Sequence, residues 1–120
     1  MDKAQALNSF WNSFGLSAYD ENTVPKNAQM PYITYNVSTG RIDDLILLSA
    51  SLWYHETSWK NIQKKVEEIA KAIGNSKILK IDGGYLYITQ GSPFSQRMSD
   101  ENPDIRRIYL NLTVEYFTEY

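Results

Sequence analysis

His55 is the chain's one histidine, and it stands beside Glu56. Such a pair offers a base and a carboxylate to orient it. Consecutive residues of a strand point to opposite faces, however, and a surface histidine at a strand end is the simpler reading. Asp43-Asp44, and the set Asp100, Glu101 and Asp104, gather carboxylates of the kind that hold a divalent cation. Neither has the alternating oxygen ligands and closing glutamate of a calcium loop, so solvated loop charge accounts for both. Asp82-Gly83-Gly84 falls between two strand-like runs and lacks the lysine and helix that follow a phosphate-cradling loop. With no cysteine, a disulfide framework, a thiolate metal site and a thiol nucleophile are excluded together. No nucleophile elbow, dinucleotide fingerprint or paired zinc motif occurs. An enzyme, a cofactor and a metal therefore have no positive support, although catalytic groups often lie far apart in sequence.

Aromatic residues are the unusual feature. Nine tyrosines and three tryptophans occur in 120 residues. Tyr and Trp combine large contact area with a polar handle, and they are enriched at the buried centres of interfaces. Packing inside the domain or over a sheet edge is the competing explanation.

Two segments carry helical period. Ala4, Leu7, Phe10, Trp11 and Phe14 line one face, and Gly15 is placed to end that helix. Trp59, Ile62, Val66, Ile69, Ala70 and Ile73 form a continuous stripe, with Thr57 or Ser58 as N-cap and Gly74-Asn75 as stop. The other face mixes Lys60, Lys64, Lys65 and Lys71 with Glu67 and Glu68, which reads as a solvated face with weak ion pairs. Strand patterns cover Tyr32 to Val37, Leu45 to Tyr54, and Ile105 to Phe117. A hairpin runs from Ile78-Leu79-Lys80-Ile81 through Asp82-Gly83-Gly84 to Tyr85-Leu86-Tyr87-Ile88-Thr89. Leu16 to Met30 and Gly91 to Asp104 have no period and read as loops.

The expected fold is α+β, in the order α-β-β-α-β-β-β. A single, mainly antiparallel sheet of about five strands carries both helices on one face. Ile46, Leu48, Leu52, Leu110, Leu112 and Val114 would meet the helices. Trp53, Tyr109 and some of Tyr32, Tyr85 and Tyr87 would line the opposite face. Residues 1–120 make one domain. A net charge of −2 argues against a protein that grips nucleic acid by its phosphates. The longest apolar stretch falls well short of the roughly 20 residues of a membrane span. Met1 to Gln5 has no secretory pattern, so the expected location is a cytoplasm.

Several phrases, in this order, resemble the tail-terminator or tail-completion proteins of long non-contractile-tailed bacteriophages and prophages, often named minor capsid or head–tail joining proteins. They are Asp20-Glu21-Asn22-Thr23-Val24-Pro25, Pro31-Tyr32-Ile33-Thr34-Tyr35, Leu48-Ser49-Ala50-Ser51-Leu52-Trp53-Tyr54 with Thr57-Ser58-Trp59, Asp82-Gly83-Gly84-Tyr85, Pro93-Phe94-Ser95-Gln96-Arg97-Met98, and Ile105-Arg106-Arg107-Ile108-Tyr109-Leu110-Asn111. The resemblance implies a ring, generally of six like subunits in closed head-to-tail contact, on the last ring of the tail tube. The ring would stop tube growth and meet the head connector while DNA passes its lumen without specific binding. It implies no reaction, no cofactor and no membrane. The place implied is the virion, at the tail or head–tail interface, after assembly in the bacterial host cytoplasm.

On this reading the Gly91–Asp104 loop, with Phe94, Arg97 and Met98, contacts a partner and orders on assembly. Arg41, Asp43 and Asp44 supply opposite charges between subunits, and Trp53 and Tyr109 belong to an exposed sheet face. The alternative is a small cytoplasmic ligand-binding domain or enzyme, with Tyr87, Tyr109, His55 and Arg107 around a pocket in that face. A third reading, nucleic-acid binding by tyrosine stacking and the Lys60–Lys71 helix face, is opposed by the acidic balance.

Overall fold

A computed structural model describes residues 1–37 and 45–118. Helix α1 spans Lys3–Trp11 and continues as a 3-10 turn over Asn12–Phe14. Asp2 starts it with a capping box. The Gln5 N–H donates to Asp2 Oδ1 at 2.8 Å, and the Asp2 N–H donates to Gln5 Oε1 at 3.0 Å. Gly15 ends it at φ +79, a left-handed conformation that glycine adopts without strain. Helix α2, Lys60–Ile73, is amphipathic, burying Ile62, Val66, Ile69 and Ile73 and exposing most of its charges. Its ion pair joins Lys65 to Glu68 at 2.6 Å, and Lys65 Nζ also donates to the Phe14 carbonyl at 2.7 Å.

Among the described residues, six strands form one sheet: β1 Ser17–Asp20, β2 Tyr32–Tyr35, β3 Leu45–Tyr54, β4 Lys77–Ile81, β5 Gly84–Met98 and β6 Arg106–Thr118. Their spatial order is β1-β2-β3-β6-β5-β4. The expectation of about five strands in a mainly antiparallel sheet gives way to a six-stranded mixed sheet. The difference lies in β1, which pairs parallel with β2. This strand is four residues long and runs directly into the turn formers Asp20, Glu21 and Asn22, so no alternation marks it. The observed order is α-β-β-β-α-β-β-β.

Long-range pairing of β3 with β6 runs from Leu45↔Glu115 to Tyr54↔Arg106 and puts like faces together. Leu48, Ala50, Leu52 and Tyr54 meet Ile108, Leu110, Leu112 and Val114 on the inner face, all buried against both helices. Helix α1 touches both β1 and β4, the two edges of the sheet, which requires strong curling around the core. Trp11, 1% exposed, stacks on Tyr35 at 6.4 Å, and Asn8 Nδ2 donates to the Tyr35 hydroxyl at 2.7 Å.

The stretch Gly91 to Asp104 is not one loop. Strand β5 continues to Met98 through a bulge in which Gly91, Ser92, Pro93 and Phe94 stand against Asn111 alone. Asn111 Nδ2 anchors the bulge by donating to the Pro93 carbonyl at 3.0 Å. A Cβ on Gly91 would lie 2.8 Å from Asn111 Cβ, so the close approach needs glycine. The irregular connection shrinks to residues 99–105. There Arg106 Nη1 donates to the Pro103 carbonyl at 2.8 Å, and its Nε donates to the Thr57 carbonyl at 3.0 Å.

Candidate assembly surface

The helices cover the inner face, and among the described residues no further layer covers the outer face of the sheet. Register decides what stands there. Tyr32 lies opposite Trp53, Trp53 opposite Arg107, and Arg107 opposite Met98, forming one row across β2, β3, β6 and β5. The Arg107 guanidinium stacks on the Trp53 ring at 4.5 Å, and its Nε donates to Ser51 Oγ at 3.1 Å. Trp53 Nε1 donates to Thr34 Oγ1 at 2.9 Å. Tyr32 packs against Trp53 at 6.4 Å and edge-on against Tyr19 at 5.9 Å. Thr34 and Ser51 are the two buried polar residues among those described, and each has its hydroxyl engaged by this row. Tyr109 stands in the next row, between Ser51 and Gln96. The ladder is thus a fixed surface, since its polar groups are paired and its rings support one another.

The other end of the same face exposes large apolar side chains: Ile78 and Phe117, 58% and 46% exposed, stand near one another, and Leu47, 74% exposed, stands apart opposite Thr113. Tyr87 packs edge-on against Phe117 at 6.2 Å, and Ile78, Tyr85, Tyr87 and Phe117 line a shallow groove of about 200 Å³. Exposed large apolar side chains grouped this way mark a contact surface.

The structure therefore joins Trp53, Met98 and Tyr109 on one face. Phe94 and Arg97 do not belong to it. Phe94 sits in the β5 bulge, packed against the core, rather than at the tip of a free loop. Arg97 faces inward and stacks on Trp59 at 4.6 Å, with Arg106 also against that ring at 5.2 Å. Arg41, Asp43 and Asp44 lie outside the described residues. Thr34 and Ser51 enter the site through pairing register, which also gives Arg107, already expected on this face, its partners Trp53 and Ser51.

The four residues of the ligand-pocket alternative do not converge. His55 is exposed, and Tyr87 lies opposite Glu115, six residues along β6 from Tyr109, about 20 Å along a strand. A concavity of about 680 Å³ lies elsewhere, against α2, with Tyr54, Glu56, Lys65 and Glu68 in its wall. Burial pushes the Tyr54 phenol above its ordinary value of 10.0, and the charges of Glu56 and Glu68 push the same way. Among the described residues no cluster of three metal-ligating side chains forms, and no helix is long and apolar enough to cross a membrane.

No protein-family model matches the chain, and no curated protein sequence matches it. Among solved structures, it is similar to a chain of the virion of a native gene transfer agent (GTA) particle. The two share 15% sequence identity at a TM-score of 0.65, over 94% of this chain and 96% of that one. At this identity the likeness establishes a shared fold, and it does so along nearly the whole of both chains.

Proposed function

We propose that the chain is a structural subunit of a phage-like particle, acting as a ring that caps the tail tube, stops its polymerisation and meets the head connector. The observation that carries this reading is the fold shared with a virion protein over 94% of the chain. Its surface fits that role. The outer sheet face presents paired aromatic and polar groups at one end and exposed Leu47, Ile78 and Phe117 at the other. Fixed, broad surfaces of this kind suit contact with neighbouring subunits.

A ring of like subunits closes through two different patches in head-to-tail contact. The proposed partners are other copies, generally six in all, the tail-tube protein and a head-connector protein, with DNA passing the lumen. The place of action is then the virion, at its head–tail interface. Removing the chain from the particle's assembly should yield tubes of unregulated length and heads without joined tails. Tails of normal length, joined to heads in its absence, would refute the capping role.

A further inference from the structure

The two edges of the sheet are finished differently. At the β1 edge the Asn12 side chain takes both outward groups of Ala18. Its Oδ1 accepts from the Ala18 N–H at 3.0 Å, and its Nδ2 donates to the Ala18 carbonyl at 3.3 Å. The next outward carbonyl, of Asp20, accepts the Thr23 N–H at 2.9 Å. That edge is closed to another strand.

The β4 edge is not. Ile81 and Gly84 face each other across the Asp82-Gly83 turn. The ladder bonds to β5 therefore fall at Ile81, Leu79 and Lys77, while Ile78 and Lys80 turn their N–H and C=O groups outward. The next outward group, the Asp82 N–H, is already satisfied from that side by the Met1 carbonyl at 2.7 Å. No strand of the described residues covers Ile78 and Lys80. Lysines on an edge deter pairing with an identical edge, and Lys77 and Lys80 would do so here. An exposed isoleucine between them has no such use, and Ile78 borders the groove of Tyr85, Tyr87 and Phe117. Neither lysine has a carboxylate partner among the described residues.

We infer that β4 accepts a seventh strand from another protein, an extended segment with apolar side chains at its centre and carboxylates flanking them. Backbone groups of Ile78 and Lys80 bond the incoming strand. An apolar side chain opposite Ile78 extends the aromatic groove, and carboxylates meet Lys77 and Lys80. A second copy is the poorer occupant, because its β1 edge is closed and its β4 edge brings like charges together. This inference does not depend on the capping role.

The probe is the capped peptide Thr-Glu-Val-Val-Glu-Thr, a palindrome that presents the same pattern in either strand direction. Its counterpart is Thr-Lys-Val-Val-Lys-Thr. Titration of isotopically labelled protein should shift the Ile78 and Lys80 amides and slow their hydrogen exchange about tenfold or more at saturation. The lysine peptide should bind about tenfold more weakly or worse. Ile78→Pro removes an outward N–H without breaking the β4–β5 ladder and should abolish binding. Should that variant fail to fold, Lys77→Glu with Lys80→Glu should reverse the preference between the peptides. Equal binding of both peptides, shifts centred on Trp53 and Arg107, no binding at millimolar peptide, or protection of Ile78 and Lys80 by self-association would each overturn the inference.

Discussion

Asn12 acts as a surrogate strand for Ala18, accepting from its N–H at 3.0 Å and donating to its carbonyl at 3.3 Å. The same Nδ2 donates to the Asn8 carbonyl at 2.8 Å, tying the end of α1 to the sheet edge. Asn12→Ala should therefore cost about 1–2 kcal/mol, as expected when partly buried backbone groups lose their partner. It should also expose β1 to pairing with other chains. Denaturant unfolding reads the first effect and sedimentation velocity the second. A variant that is as stable and as monomeric as the parent would show that the edge is closed by something else.

Trp53 and Arg107 form the middle of the outer ladder, and their interaction should be measurable apart from burial. A double-mutant cycle of Trp53→Leu and Arg107→Met should give a coupling of roughly 0.5–1 kcal/mol, the usual range for a cation over a ring near the surface. Additive single effects would mean that the stacking contributes nothing to stability.

Phe94 and Met98 lie four residues apart in β5 but do different work. Phe94 packs against the core, whereas Met98 is 38% exposed on the outer face beside Arg107. Phe94→Ala should lower stability by about 2–4 kcal/mol, near the lower range for a large core truncation. Met98→Ala should change stability by about 0.5 kcal/mol or less and act on assembly instead. Thermal unfolding of both variants, followed by tail-assembly yield, separates the roles. The opposite ranking would restore Phe94 to the surface.

This contrast also shows what local sequence carries. The stripe of α2, the alternation of β3 and β6, and the placing of Trp53 and Tyr109 opposite the core were legible, because burial follows the period of each element. Strand β1 was not, being four residues whose parallel partner lies across the connection at residues 21–31. Gly91, Ser92 and Pro93 are turn signals, and the bulge uses them inside a continuing strand. The bonds from Trp53 to Thr34 and from Arg107 to Ser51 depend on the register of three strands distant in sequence. Alternation already put Arg107 on that face; its place beside Trp53 and Ser51 became known only with the pairing.

Tyr54 links stability to alkaline pH. Its folded-state phenol titrates above 10.0, through burial first and then the charges of Glu56 and Glu68. Below pH 10 the phenol is neutral in both states, and its full contribution to stability is present. Above the unfolded value, the native state binds more protons than the unfolded chain, so stability falls as pH rises. Tyr54→Phe should flatten this decline relative to the parent in urea unfolding between about pH 9 and 11. Parallel pH curves for the two proteins would remove Tyr54 as the cause.

Electron microscopy of gold-tagged chain mixed with polymerising tail-tube protein from the same particle tests the capping role most directly. A capping ring should appear as label at one end of each tube, with growth arrested where the ring is present. Label scattered along the tubes, or tubes that grow unlabelled beside free monomeric chain, would contradict it.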